Sequence, residues 1–134
     1  MERKIYLAGP RERAGGGDWR DDVSQHVASS YSDIECTLFD PFEHNMDPER
    51  ELEKIFEWDM QHVQQSDVVL VYRRPDYELS GASMEAFHAM RSGTAVVIWN
   101  AGRSMVPEFL EVVSDSVAQT MDEAIGLALG EREP

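Results

Sequence analysis

Two acidic residues occupy helical positions where a carboxylate is unexpected. The first, Glu85, lies in the segment 80–93, "SGASMEAFHAMRSG", which reads as the start of a helix. Residues three or four apart share a helix face, so Glu85 lines up with the small residues Ala82 and Ala89. Small residues in a row favour close packing on a sheet, where a charge is desolvated at a cost. Glu85 therefore either tips outward at the helix end or faces a pocket.

The second acid, Asp59, falls inside the apolar stripe of a longer helical segment, 48–66. The spacing predicts that Asp59 is at least partly buried, because its neighbours at helical spacing are apolar. A buried carboxylate without a partner keeps its proton to a higher pH. The apolar members of the stripe are Leu52, Ile55, Phe56 and Val63.

Two carboxylates with separated pKa values suit acid/base or nucleophilic chemistry at a glycosidic carbon. The ionised group would attack or stabilise an oxocarbenium-like centre, and the protonated group would deliver a proton to the leaving group. Simpler roles are open to both residues. Glu85 would stabilise a helix N-terminus by about 0.3–1 kcal/mol. Asp59 would be held by a backbone amide or by an arginine such as Arg73.

Short apolar runs alternate with helical patterns along the chain, which predicts five successive βα units. Such units form an open parallel sheet with helices on both faces, here a flavodoxin-like sheet of order 2-1-3-4-5. We expect one domain over 1–130 and a frayed tail over 131–134. The predicted strands are 4–9, 34–41, 67–73, 94–100 and 116–120. The predicted helices are 18–31, 48–66, 82–93, 106–115 and 121–130.

Ligands of open α/β sheets bind beyond the carboxyl ends of the strands. The loops after the first three strands end at that edge, and Glu85 opens the helix after strand 3. The first loop, "GPRERAGGGDW", is rich in glycine and arginine, which suits an anion site; a flexible solvated loop is the alternative. The candidate substrate-binding residues on these loops are Gly9, Pro10, Arg11, Gly17, Asp40, Ser80, Gly81 and Ser83.

The chain is strongly acidic. Twelve basic residues stand against 26 acidic ones, for a net charge of −14 over 134 residues. Such a balance argues against a nucleic-acid partner, since phosphate backbones require a basic surface. Only Lys4 and Lys54 are lysines, and acidic chains with arginine over lysine are typical of a high-salt cytoplasm. We therefore expect stability to fall when salt is removed, because self-repulsion grows.

Other features favour a cytoplasmic protein without a membrane partner. No apolar run approaches the roughly 18 residues that cross a bilayer, and the opening residues 1–10 lack the apolar core of a signal peptide. The single cysteine, Cys36, excludes an internal disulfide and fits a reducing compartment. Neither a metal nor an organic cofactor is expected. Recognisable metal-ligand spacing is absent among the four histidines, His26, His44, His62 and His88.

Four segments together resemble the nucleoside 2-deoxyribosyltransferase family, which includes related 5′-nucleotide N-glycosidases. The resemblance covers most of the chain, and the step from Asp59 to Asp67, a β-run and a Gly-x-x-x-Glu helix start are specific as a set. The segments are "IYLAGP" (5–10), "WDMQHVQQSDVVLVY" (58–72), "SGASMEAFHAMRSG" (80–93) and, more weakly, "VVSDSV" (112–117).

The resemblance implies an enzyme that cleaves or transfers the N-glycosidic bond of a nucleoside or nucleotide. It implies that Glu85 is the nucleophile toward the sugar C1′, that Tyr6 orients it, and that Asp59 contacts and helps protonate the departing base. Gly81 matches the glycine that lets the sugar approach the backbone. The family also implies a homodimer or larger homo-oligomer with sites near subunit contacts, and exposed apolar positions in 106–113 suit such a surface.

Three departures leave the reaction open between transfer and hydrolysis. Leu79 stands where transferases commonly have an acid, and Ser116 stands where they often have an asparagine that reaches a neighbour's substrate. The loop 9–20 resembles the Gly/Arg loop with which the nucleotide hydrolases grip a 5′-phosphate. The alternatives are a 5′-monophosphate N-glycosidase and, from another class, a non-catalytic flavodoxin-like protein that binds flavin or a nucleotide.

Overall fold

Strands and helices alternate in the computed structural model, which describes residues 2–11, 18–76, 79–102 and 105–132. The strands of these residues form one parallel sheet in the order β2-β1-β3-β4-β5, which confirms the predicted flavodoxin-like architecture. None of the helices in the described ranges is both long and apolar enough to span a membrane. The strands are β1 (Arg3–Ala8), β2 (Cys36–Phe39), β3 (Val68–Arg73), β4 (Ala95–Asn100) and β5 (Ser116–Ala118). The helices are α1 (Trp19–Ser30), α2 (Leu52–Gln65), α3 (Ser80–Ser92), α4 (Glu108–Val113) and α5 (Met121–Ala128).

The two outer strands are shorter than the sequence predicted. Strand β2 covers 36–39 rather than 34–41, and β5 covers 116–118 rather than 116–120. Each of them pairs with a neighbour on one side only, so the residues at its ends lack the second partner that extends a central strand.

Helix α2 also begins later than predicted, at Leu52 rather than near the start of 48–66. The side chain of Asp47 accepts a hydrogen bond from the backbone N–H of Glu49 at 3.0 Å. An aspartate that bonds the backbone two residues further on favours a turn over a helix. The chain therefore turns after Asp47 before α2 starts.

The apolar side of α2 is buried only in part, which corrects the expectation of a continuous inward stripe. Val63 is fully buried and Ile55 is half-buried, but Leu52 and Phe56 leave 65% and 47% of their surface exposed. The hydroxyl of Thr94 donates to the carbonyl of Val63 at 3.3 Å, so the C-terminal half of α2 is the packed half. The earlier turns of the helix keep their apolar side chains at the surface.

Side chains of β1 alternate between the two faces of the sheet, as the period of a strand requires. Ile5 and Leu7 join the core that packs beneath α1 and α5, whereas Tyr6 and Ala8 join the core beneath α2, α3 and α4. Because Glu85 lies on α3, the fold places Tyr6 and Glu85 on the same side of the sheet.

An aspartate just before β3 and another just before β5 join these strands to their neighbours. Asp67 accepts a hydrogen bond from the backbone N–H of Lys4 at 2.7 Å and donates its own N–H to the Lys4 carbonyl at 2.8 Å. Asp115 makes the same two bonds to Val96, at 2.7 Å and 2.8 Å. The serine before each aspartate donates its hydroxyl to a carbonyl in the last turn of the preceding helix. Each Ser-Asp pair thus ends a helix and sets the position of a strand.

Candidate active site

Glu85 faces the interior of the protein and bonds to Tyr6. The carboxylate is buried, with 8% of the residue exposed, and the hydroxyl of Tyr6 donates a hydrogen bond to its Oε2. Tyr6 is itself fully buried, and its ring packs against that of Phe39 with centroids 5.2 Å apart. Of the two readings of the sequence, the inward one is therefore correct, since Glu85 does not tip out at the helix end.

Asp59, on α2, interacts electrostatically with this pair. The residue is half-buried, as its spacing predicted, and its Oδ1 atom has no partner among the residues that the structure describes. The charge of Asp59 raises the pKa of both Tyr6 and Glu85, which shows that the three groups share one electrostatic environment. Arg73, the alternative partner, donates instead to Oδ1 of Asn100 at 3.2 Å.

Both carboxyl groups titrate near neutral pH. Burial raises the pKa of Glu85 to about 7, the hydrogen bond from Tyr6 and the positive charge of Arg20 oppose this rise, and Asp59 adds to it. Burial also raises the pKa of Asp59 to about 6. Near neutral pH the pair holds about one proton and one charge, which is the state that acid/base work by two carboxyls requires.

Tyr6 remains a hydrogen-bond donor over the same pH range. Burial and then the neighbouring charge of Glu85 raise the pKa of its hydroxyl above the ordinary value. A neutral phenol that donates to a carboxylate orients that carboxylate and stabilises its charged form.

Arg20, which sequence reasoning did not single out, organises the start of the first loop. Only 4% of it is exposed, and its guanidinium donates to the carbonyls of Leu7 (3.2 and 3.3 Å), Gly9 (3.0 Å) and Pro10 (2.9 Å). It also pairs with Asp40 at 3.5 Å. The available signal was its position in the first turn of a helix that follows the Gly-rich loop.

The described part of the first loop is tightly constrained at Gly9. Its φ is +153°, and a Cβ there would lie 2.9 Å from Cζ2 of Trp19 and 3.1 Å from the Tyr72 carbonyl, so a larger residue does not fit. The carbonyl of Pro10 accepts a second bond from the Trp19 indole at 3.0 Å. Arg11 is exposed, and its guanidinium lies 5.3 Å from the ring centre of Phe42.

Gly17, another predicted binding residue, lies outside the described residues, as do its neighbours 12–16. Asp40 follows β2 at the same edge of the sheet. Its Oδ1 accepts a hydrogen bond from the backbone N–H of Phe42 at 2.9 Å and pairs with Arg20. In the unliganded chain this carboxylate is therefore engaged by the protein.

The first turn of α3 leaves space and backbone donors next to Glu85. Ser80, Gly81 and Ser83 are exposed, and a Cβ built on Gly81 would meet nothing within 4 Å. Leu79 occupies the N-cap position, makes no side-chain hydrogen bond, and packs against the core instead. Among the described residues, Leu79 thus gives the N–H groups at the start of α3 no side-chain cap.

Ser116 is not brought to this group of residues within one chain. It begins β5 and pairs with Val97, and two strands separate β5 from β1. At the usual strand spacing, β5 lies roughly 14 Å from β1. Tyr6, Glu85 and Asp59 come together, whereas Ser116 stands apart.

Each of the four histidines has a different hydrogen-bond partner, and the four do not come together in one group. The described residues contain no group of three or more His, Cys, Asp or Glu side chains that could hold a metal. The contacts are His26 with Asp122 (2.8 Å), His62 with Lys4 (3.4 Å), His88 with Gln64 (3.0 Å) and the Met46 N–H donated to His44 (3.1 Å).

The fold and the site define a flavodoxin-like domain with two inward carboxyl groups near the carboxyl edge of its sheet. Residues 2–102 match the family described as "Nucleoside 2-deoxyribosyltransferase like". This match covers more than half of the sequence, and the chain belongs to that family. The resemblance carried by the sequence motifs is thus confirmed. No curated protein matches the chain in sequence.

Several solved structures share the fold. A 2-deoxyribosyltransferase from the psychrotolerant bacterium Bacillus psychrosaccharolyticus is similar over 90% of this chain and 88% of its own, with a TM-score of 0.73 and 17% identity. A conserved protein from Enterococcus faecalis V583 is similar over 99% and 100%, with a TM-score of 0.72 and 13% identity. A CMP N-glycosidase from Clostridium botulinum covers 93% and 97%, with a TM-score of 0.55 and 14% identity. At these identities the likeness establishes the fold.

Proposed function

We propose that the chain is an enzyme that breaks the N-glycosidic bond of a nucleoside or nucleoside 5′-monophosphate. Family membership supports this class of chemistry. The observation that carries the proposal is the buried Tyr6–Glu85 hydrogen bond beside Asp59, a carboxyl with an oxygen left without a partner among the described residues. A nucleophile that is oriented by one neighbour and an acid that remains available for the leaving group are the two parts that such a reaction needs.

The proposed reaction has two steps. The reactive form of the pair is the one in which the proton lies on Asp59 and Glu85 is ionised. The carboxylate of Glu85 attacks C1′, the C1′–N bond breaks, and its electron pair passes to the base, which takes the proton of Asp59. A glycosyl ester on Glu85 results. Water or a second base then attacks C1′, gives its proton to the Asp59 carboxylate and releases Glu85. Tyr6 keeps the carboxylate aimed at C1′ in both steps, and no cofactor is required.

The second candidate, hydrolysis of a 5′-monophosphate, is favoured by the residues at positions 79 and 11. Leu79 packs against the core and offers no polar atom to a base or sugar. Arg11 is exposed beside the first loop, where a guanidinium would reach a phosphate. The Arg20 guanidinium, in contrast, is engaged by backbone carbonyls and is not available to a substrate.

One panel of reactions tests the function and separates its alternatives. Deoxynucleosides, ribonucleosides and their 5′-monophosphates are incubated with the protein, and free base is measured by chromatography, with Glu85→Gln as the control. Base release that requires the phosphate would establish the nucleotide hydrolase, and a new nucleoside formed after addition of a second base would establish transfer. Tight retention of a ligand without base release by the wild-type chain would overturn the proposal in favour of a non-catalytic binding protein.

An apolar face across α2, α3 and α4 supports a homodimer as the working form. In a chain of net charge −14, two copies repel each other unless they meet on an uncharged surface. In a two-fold symmetric dimer the same surface of both subunits forms the interface, so that surface must be complementary to itself. An apolar patch meets this condition. The apolar face consists of the exposed residues Leu52, Phe56, Met84, Phe87, Phe109 and Val112.

Light scattering during gel filtration tests this assembly. We expect a dimer for the wild type, a monomer for the double variant Phe56→Asp/Phe87→Asp, and a dimer for Ser29→Asp, which adds charge on α1 at the opposite face of the sheet. A monomeric wild type, or a double variant that stays dimeric, would exclude this face as the interface.

A further inference from the structure

A buried arginine holds the backbone where β1 ends. Arg20 donates four hydrogen bonds to the carbonyls of Leu7, Gly9 and Pro10, and the Trp19 indole adds a fifth bond to the Pro10 carbonyl. Three carbonyls within four residues thus face the start of α1. Their oxygens are fixed by a planar group whose donors have a rigid geometry.

The surroundings of Arg20 keep it charged and in place. Its guanidinium carbon lies 4.4 Å from the ring centre of Trp19 and 4.9 Å from that of Phe42. Asp18 and Asp40 pair with it at 3.6 Å and 3.5 Å. Burial of a charge is costly unless the charge is paired and hydrogen-bonded, and Arg20 satisfies both conditions. So many contacts exceed what the capping of α1 requires, since Asp18 already caps that helix.

The same cation acts on the proposed nucleophile. The groups that shift the pKa of Glu85 are Tyr6 from β1, Asp59 from α2 and Arg20 from α1, of which Arg20 is the cation. Helix α3 also packs against α2, where His88 bonds Gln64 at 3.0 Å, and against apolar side chains of β3, β4 and α4. The acids of α4 are exposed. These apolar side chains are Val69, Val71, Val96, Ile98 and Leu110. The exposed acids are Glu108 and Glu111.

We propose that Arg20 is a positioning residue of the site, which fixes the backbone that leaves β1. The carbonyl bonds set the path of Gly9, Pro10 and Arg11, the described part of the proposed binding loop. The positive charge of Arg20 has a second, electrostatic effect, since it lowers the pKa of Glu85. The kinetic consequences rest on the proposed function, whereas the electrostatic consequence does not.

Titration of Glu85 followed by carbon-13 NMR tests the charge without any need for activity. The carboxyl signal is assigned by its loss in Glu85→Gln and followed against pH in the wild type, Arg20→Lys and Arg20→Gln. We expect the midpoint to move to higher pH in Arg20→Gln and to stay near the wild-type value in Arg20→Lys, which keeps the charge. An unchanged midpoint in a folded Arg20→Gln variant would overturn the electrostatic part.

Kinetics test the backbone part. Lysine is a point charge that does not span three carbonyls, so Arg20→Lys should raise KM roughly 10- to 100-fold, as a small misplacement of a site does. Arg20→Gln should raise KM in the same way and also lower kcat near neutral pH, because a smaller fraction of Glu85 is ionised without the charge. Rates are divided by the folded fraction, and wild-type KM in Arg20→Lys would overturn this part even if Arg20→Gln does not fold.

Arg3→Gln is the matched control. Arg3 also donates to a backbone carbonyl, that of Ala128 at 3.0 Å, but it lies at the other end of β1. We expect this variant to lower stability while it leaves both the Glu85 midpoint and KM unchanged. If the wild type released no base from any substrate while the midpoint still moved in Arg20→Gln, the proposed function would fail and the electrostatic role of Arg20 would stand.

Discussion

Four carboxylates at two edges of the sheet have opposite environments. Asp67 and Asp115, just before their strands, each accept a backbone N–H at 2.7 Å and are exposed to solvent. Asp59 and Glu85, near the opposite edge, are buried to different degrees, and the pKa of each is raised by burial. The first pair lowers the energy of the fold, whereas the second pair is desolvated without full compensation. Such a local cost is expected where a protein carries out chemistry.

Substitution of Glu85 should have the largest effect. Glu85→Gln keeps the size of the side chain and an acceptor for Tyr6 but removes the nucleophilic charge. We expect kcat to fall by about three orders of magnitude or more, as for other nucleophiles, in a base-release assay with the folded fraction checked by circular dichroism. Near-normal turnover in the folded variant would show that Glu85 is not the nucleophile. The proposed difference between catalytic carboxylates at one edge of the sheet and structural aspartates at the other would then be wrong.

Asp59→Asn should have the next largest effect, because it removes the proposed proton donor. We expect a fall in kcat of about 10²-fold or more on ordinary nucleosides. A 7-methylpurine nucleoside carries a base that is already positively charged and leaves without a proton. The variant should therefore regain most of its rate on that substrate. An equal loss on both substrates would contradict a role in protonation.

The pH dependence of stability should reveal the cost of burying Glu85. The pKa of Glu85 is about 7 in the folded chain against an ordinary value of 4.5, so between these values the folded chain keeps a proton that the unfolded chain has lost. The free energy of unfolding should therefore fall as pH rises through this window, by about 2–3 kcal/mol for this group. Urea unfolding at pH 4.5 and pH 8 should show that fall in the wild type relative to Glu85→Gln. A constant difference between the two proteins would mean that Glu85 is not desolvated.

The aspartates before the strands should give the smallest effects, and on stability alone. Asp115→Ala should lower the free energy of unfolding by about 1–3 kcal/mol, because its bond to the Val96 N–H is partly buried. Asp67→Ala should cost about 1 kcal/mol or less, because its bond to Lys4 is exposed. Both variants should keep wild-type kcat per folded molecule, measured by base release. If Asp115→Ala or Asp67→Ala lowered kcat as much as Asp59→Asn does, the aspartates before the strands would not be purely structural.

The fold and the pair of acids were predictable because they depend on local periodicity. Apolar runs such as Val68–Arg73 indicate strands buried on both faces, and their alternation with helices determines a parallel sheet. The partial burial of Asp59 also follows from positions three and four residues apart, whereas the same spacing left Glu85 open between an outward and an inward direction. These features require knowledge of each segment alone and of the order in which the segments follow each other.

The remainder depends on contacts between distant segments. The bonds from Arg20 to Leu7 join residues 13 positions apart and arise only once α1 packs on β1. Exposure of Leu52 and Phe56 likewise depends on how far α2 extends along its neighbours, which helical spacing does not specify. The residue types at these positions are compatible with several arrangements, and tertiary packing selects one.

The Ser-Asp joints have a practical consequence for protein engineering. They secure two strands where those strands begin, through bonds to Lys4 and Val96 at the edge opposite the ends of β1 and β2. Loops after β1 and β2 are thus candidates for exchange between relatives, and new substrate preferences become accessible while the anchoring of the scaffold stays intact.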